Sequence, residues 1–289
     1  MKIKNLLLFL VVTAFFVGCS TAPKRTSEIT TERDAAENML NSANQTANRG
    51  RYAEALLILV EARRLALGTD DPSLRIRTSI SRGNILFSLE REAEAFAEWE
   101  AASLEADSSN ESVLASLARI YTIRGKLMSM ADEAGTVNAD AIEELKTLLA
   151  GEMTNVRADV FSTASAYVTL GLAEKLLGRF SEAESAIRQA LNIHERNDSL
   201  EDAAYDWFLV ASIRSVAGNY EGALEALQMA IRIDRRLENG FGLASSWQAM
   251  GDVYRKAGRY GESEAAWRRA ADIYRAIGLE DHAAKLEGE

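Results

Sequence analysis

Gly178-Arg179-Phe180-Ser181-Glu182-Ala183 is answered forty residues later by Gly218-Asn219-Tyr220-Glu221-Gly222-Ala223, and after forty more by Gly258-Arg259-Tyr260-Gly261-Glu262-Ser263. Twelve residues after each opening glycine stands an alanine (Ala190, Ala230, Ala270), and three further on an isoleucine (Ile193, Ile233, Ile273). Upstream, Gly50-Arg51-Tyr52-Ala53-Glu54-Ala55 carries the same phrase, with Ala62 and Leu65 in step. Ala93-Glu94-Ala95 and Ala102 repeat it in reduced form, with Glu90 where the glycine would stand. A fixed period of this size marks a repeat array. The spacing also has a physical reading. The glycine ends one helix in a tight turn, and the aromatic after it packs back against that helix. Small residues three and ten places later let two antiparallel helices approach closely, while large ones between them fill the groove.

The first helix of each unit supports this reading. Trp247, Met250, Gly251 and Tyr254 form a large-large-small-large series, matched by Tyr167, Leu170 and Gly171 and by Trp207, Val210 and Ala211. The pattern resembles the tetratricopeptide repeat (TPR). That resemblance implies an all-α solenoid of antiparallel helix pairs wound into a right-handed superhelix. Strong repeats cover 157–277 and weaker ones 32–107, all within a single domain at 32–289. Between them, 108–156 reads as a divergent repeat with an added helix. Leu114, Leu117, Ala118, Tyr121 and Gly125 fit its first helix, and the pattern then fails around Gly135. Either its second helix is rebuilt, or the segment fills the concave groove with Met128, Met130 and Met153. Residues 278–289 read as a polar cap. The period exceeds the family's usual length of about 34. The closing proline is missing from every strong repeat, and only Pro72 resembles it.

Residues 1–18 stand apart as an address. Lys2 and Lys4 precede an apolar run from Leu6 to Val17 that is shorter than the roughly 20 residues a spanning helix needs. Phe16-Val17-Gly18-Cys19 resembles a bacterial lipobox, and Cys19 is the only cysteine of the chain. The resemblance implies cleavage before Cys19, lipidation of its thiol, and a polar tether over 19–31. It places the protein in the cell envelope, facing the periplasm, and Ser20 favours the outer membrane over the inner. Removing Lys2 and Lys4 from 33 basic residues leaves 31 against 43 acidic, a mature charge of −12. The lipid therefore holds an acidic body against an anionic surface that repels it.

Composition narrows the function. Two histidines and one cysteine exclude a three-His or Cys₄ metal site and an internal disulfide. The net charge of −10 argues against nucleic acid as a partner. No phosphate-binding glycine loop or catalytic motif is present, and His194 and His282 read as solvated surface side chains. Neither catalysis, a metal nor a cofactor is expected. TPRs commonly bind proteins or peptides on the concave face lined by first helices. Counting from the family's first-helix positions, the resemblance puts Asn84, Arg119, Tyr205, Phe208, Gln248, Asp252 and Arg255 on that face. The aromatic pair is the expected anchor. The leading expectation is a scaffold or adaptor for an envelope complex. The alternative is an accessory component of a solute transporter, which docks a binding protein or holds a small ligand. The oligomeric state stays open.

Overall fold

The computed structural model describes residues 31–132 and 138–287. Cys19 and the address segment lie outside the described residues. Among those described there are thirteen α-helices and no strand. They pair in chain order: α1 (Glu32–Asn48) with α2 (Tyr52–Gly68), α3 (Pro72–Ser88) with α4 (Glu92–Ser108), and α5 (Ser112–Asp132) with α6 (Ala139–Asn155). Then come α7 (Val160–Leu176) with α8 (Phe180–Arg196), α9 (Leu200–Val216) with α10 (Tyr220–Arg236), and α11 (Gly240–Lys256) with α12 (Tyr260–Ala276). The short α13 (Glu280–Glu287) closes the array. The pairs stack on one another as a TPR-like solenoid.

The forty-residue period is now explained. Apart from α5 and α13, every helix is 17 residues long, and all but two of the connections are three-residue turns. The middle residue of each three-residue turn is left-handed: Gly50, Gly178, Gly218, Gly258 and Gly278 at φ 72° to 79°, and Asp70, Glu90, Asn110, Asp198 and Glu238 at 51° to 60°. At the end of α7 the Gly178 amide donates to the Lys175 carbonyl and the Arg179 amide to that of Glu174. This double closure satisfies the last free carbonyls of the helix. Asp71, Asn138, Asp159, Asn219 and Asn239 cap the helices that follow them, each accepting from an amide three residues on.

Glu90 is the substitute for glycine that the sequence flags, and it adopts the turn at φ 60°. Its side chain is exposed, like that of Glu238 in the same conformation. A left-handed L-residue costs roughly 1–2 kcal/mol, offset in part by the greater freedom of glycine when unfolded. Glu90→Gly and Glu238→Gly are therefore each expected to stabilise the array by about 0.5–1 kcal/mol. A urea midpoint that stays put or falls would contradict this.

The core follows the small-residue positions. Ala55 and Ala62, Ala95 and Ala102, Ala183 and Ala190, Ala223 and Ala230, and Ser263 and Ala270 are all buried where two helices close on each other. Between 112 and 155 the structure shows a rebuilt pair. Ile120, Ile123 and Leu127 of α5 recur at helical spacing and bury themselves against Ile142, Leu145 and Leu149 of α6. The helix beginning near Asn138 is thus the second member of the third pair rather than an addition to it. It runs through Gly151, whose missing side chain faces open space.

Candidate functional site

The concave side holds a chamber that is about half open to solvent. Asn48 at the end of α1 donates to Glu201 of α9 at 2.8 Å. Tyr52 at the start of α2 meets Phe241 of α11 edge to face, with ring centroids 6.3 Å apart. Gly50 in the turn between α1 and α2 lies against Phe241 and Leu279 so closely that a Cβ would stand 2.7 Å from the Phe241 ring. The first hairpin thereby touches the last part of the array. The space bounded by these contacts is about 1010 Å³.

One wall is amide-rich, with Asn41, Asn44, Gln45 and Asn48 on α1 and Asn84 on α3. The facing wall is α9. There Tyr205, 51% exposed, stacks on Phe208 at 6.4 Å with the ring planes 10° apart. Glu201 and Asp202 share this wall and are exposed to the chamber. Asp206 also lines it but is fully buried, and its Oδ2 lies 2.7 Å from His194 Nδ1. The other carboxylate oxygen, Oδ1, meets no donor among the described residues. Arg124 of α5 donates to the Ser165 carbonyl and to Thr169 Oγ1, and its guanidinium lies over the Tyr121 ring at 4.8 Å.

Desolvation by the cavity walls raises the pKa of Asp202, though its side chain still reaches solvent, and burial raises that of Asp206, both against the opposing pull of His194 and Arg124. Burial alone would lower His194. The hydrogen bond and charge of Asp206, with Asp202 behind it, carry the imidazole above its ordinary value. His194 is therefore no solvated surface group but a buried partner of a carboxylate. It sits on the inner side of α8, where the end of that helix meets α9.

Asp234 of α10 also lines the chamber and is 3% exposed. Burial pushes its pKa to about 6, with the Asn239 amide at 2.8 Å lowering it in part and Glu201 raising it. Because the folded pKa exceeds the unfolded one near 4, the folded state holds more protons between these values. Stability from this group is thus present at low pH and lost as pH rises through about 6. Asp234→Asn keeps an acceptor for Asn239 and removes the charge. It is expected to stabilise the protein at pH 8 by on the order of 2 kcal/mol, with the gain vanishing by about pH 4. Melting curves across that range check it, and a gain independent of pH would refute the assignment.

Of the residues placed on the concave face from sequence, Asn84, Tyr205 and Phe208 line the chamber. Asn84 Oδ1 is also held at 3.1 Å by the Trp99 indole nitrogen. The other four do not line this chamber, although Asp252 borders a smaller cavity of about 160 Å³ that Phe208 shares. Arg119 is engaged by the carboxylates of Asp107 and Glu152. Gln248 accepts from the Tyr274 hydroxyl at 3.2 Å, and Asp252 from the Trp267 indole at 2.9 Å. Arg255 lies over the Trp267 ring at 5.3 Å. Met128 reaches the chamber, whereas Met130 and Met153 pack against the core between α5, α6 and α7. His282 stands against the rings of Phe241 and Tyr274.

Among the chamber residues not anticipated from sequence, which also include Arg124, Glu201, Asp202 and Asp206, His194 and Asp234 share one signal. The fifteenth residue of the regular second helices is Ala66, Ala106, His194, Asp234 and Tyr274, buried in every case. The column turns from alanine to polar where the chamber is charged. Among the described residues, no three His, Cys, Asp or Glu side chains come together to hold a metal ion. No described helix is long and apolar enough to cross a membrane.

Family models described as tetratricopeptide repeat match residues 163–197 and 202–276. These stretches are tetratricopeptide repeats. TPR arrays generally mediate protein–protein interaction and typically serve as non-enzymatic scaffolds. The fold resembles that of BtubC from P. vanneervenii, with a TM-score of 0.54 and 17% identity over 84% of this chain and 92% of that one. A Rap protein complexed with competence and sporulation factor is similar at a TM-score of 0.57 and 15% identity, over 89% and 74% of the two chains. The repeat-containing signal transduction ATPase of Pyrococcus horikoshii also reaches 0.57 at 14% identity, and there the match spans 91% of this chain but only 43% of the larger one. Such identities speak for the fold. No curated protein matches the sequence.

Proposed function

We propose that this protein is a lipid-anchored TPR adaptor of the bacterial envelope, facing the periplasm, that takes a short peptide segment or chain end of a partner protein into its chamber. The observation that carries this reading is the chamber itself. It is lined by amides on one wall and an exposed aromatic stack on the other, and its volume of about 1010 Å³ is at the upper end for ligand sites. Side-chain amides suit the backbone of an extended peptide, and an aromatic face suits a side chain. The similar fold of the Rap protein, complexed with a separate factor, lends support. A small organic acid fits less well, because four carboxyl groups line the space.

A photo-crosslinking residue in place of Tyr205 tests the binding half in living cells. Protein adducts are expected from position 205 and not from the exposed outer Tyr260; their absence at 205 would refute the reading. The anchor is tested by Cys19→Ala, which should release the protein from the membrane fraction into the soluble periplasm. Membrane association that survives this substitution would remove lipidation from the account.

A further inference from the structure

We propose that the chamber selects ligands carrying a primary amine or a guanidinium, seated against Glu201 and Asp202, with the buried Asp206 behind them, beside the exposed face of Tyr205. The inference rests on the peptide reading above and specifies its chemistry. Three observations lead to it.

The first is the balance of charge. Four carboxyls, those of Glu201, Asp202, Asp206 and Asp234, line the space. Arg77 also lines it but is held by Glu37 at 3.0 Å. The cations left to face the acids are Arg124 on α5 and the His194 imidazole on α8, and Arg124 is itself bonded to Ser165 and Thr169. The carboxyls therefore outnumber their counter-charges. A carboxyl raised by desolvation, as Asp202 and Asp206 are, is one whose charge is poorly compensated.

The second is Asp206 Oδ1. A buried carboxylate oxygen without a donor is costly, and nearly all such atoms in folded proteins find a partner. Asp206 is fully buried and lines the chamber, and its other oxygen already bonds His194. The oxygen is closed off from solvent, so a bound cation would offset its charge from beside Glu201 and Asp202 rather than by a direct hydrogen bond. The third is the aromatic stack. Tyr205 presents half its surface beside these acids, and a cation over an aromatic ring gains a further attraction. The acids do not converge closely enough to ligate a metal ion, which leaves an organic cation with several N–H donors as the fitting group. A chain's own amino terminus, Lys and Arg all supply one.

The test uses the full chain and a random hexapeptide library at physiological salt, half of it N-acetylated and half with free amino termini, with retained peptides identified by mass spectrometry. Peptides bearing Lys, Arg or a free amino terminus should be enriched at least about tenfold over N-acetylated peptides that lack Lys and Arg, which corresponds to about 1.4 kcal/mol. Glu201→Gln with Asp202→Asn should abolish that enrichment. Both side chains are exposed, so the fold should tolerate the change. Glu225→Gln with Glu264→Gln, on the outer surfaces of α10 and α12, should leave it intact. Retention of neutral or acidic peptides would overturn the cation preference while sustaining the peptide reading. Cationic enrichment insensitive to the α9 substitutions would place the attraction on the general acidic surface and overturn the site. Retention of no peptide at all would overturn the peptide reading and this inference with it.

Discussion

Trp99→Ala is expected to destabilise the protein by about 4 kcal/mol and to lower the melting temperature by on the order of 10 °C. Trp99 is 2% exposed on α4, and its indole packs against Gly83 of α3 and Gly125 of α5, where no side chain intervenes. Phe87, Phe96 and Tyr121 surround it with ring centroids 5.6 to 6.1 Å away. Its ring nitrogen holds Asn84 Oδ1 at the chamber wall. Truncation therefore empties a site bounded by three consecutive helices, and the rigid helix pairs can collapse into it only in part. Trp99→Phe should cost much less, roughly 1–2 kcal/mol, since most of the ring contact survives and one donor is lost. In a repeat array each unit depends mainly on its neighbours, so amide exchange should rise across α3 to α5 more than across α10 to α12. A loss below about 1 kcal/mol for the alanine variant would show that the aromatic cluster does not hold this part of the array together.

The helical hairpins were legible because their determinants are local. A glycine, an aromatic and two small residues at set spacings specify one turn and one close approach, and the structure places Ala183 and Ala190, or Ala223 and Ala230, fully buried as that spacing requires. The turns between units were less plain, since Asp70, Asn110, Asp198 and Glu238 do by strain or by side-chain polarity what glycine does elsewhere. The chamber was not legible. Its closure depends on small rotations summed over many stacked pairs, which bring Tyr52 to Phe241 and Asn48 to Glu201 across most of the chain. No local pattern encodes such a sum. The same reason separates Tyr205 and Phe208, which reach the chamber, from Gln248, Asp252 and Arg255, which do not line it and which meet Tyr274 or Trp267 of their own repeat. His194 read as a surface residue because its helix is strongly amphipathic and its neighbours Glu195 and Arg196 are charged. Its partner Asp206 lies on the next helix, at a register where the other first helices carry Asn38, Thr78, Ala118, Ala166 and Ser246, none of them charged.

Tyr205→Ala should weaken binding of a retained peptide by at least about thirtyfold, the 2 kcal/mol scale of an interface hot spot, while the melting curve hardly moves. The two readouts separate because of where the ring sits. Half of its surface faces the chamber, so its removal leaves little cavity in the core, and surface substitutions of this kind usually stay within about 0.5 kcal/mol. What is lost is the flat face beside Glu201, Asp202 and Asp206, on which a ligand cation or apolar side chain would rest. Phe208→Ala should weaken binding similarly but with a cost of about 1–2 kcal/mol in stability, since Phe208 is half-buried and also packs against the core of the last three repeats. Tyr205→Phe keeps the stacked face and should retain most of the affinity, whereas Tyr205→Leu, apolar but without a π face, should not restore it. Calorimetric titration and thermal unfolding on the same four variants decide the matter. A Tyr205→Ala protein that binds normally would move the ligand away from α9, and one that melts far below the parent would make the stack a structural prop.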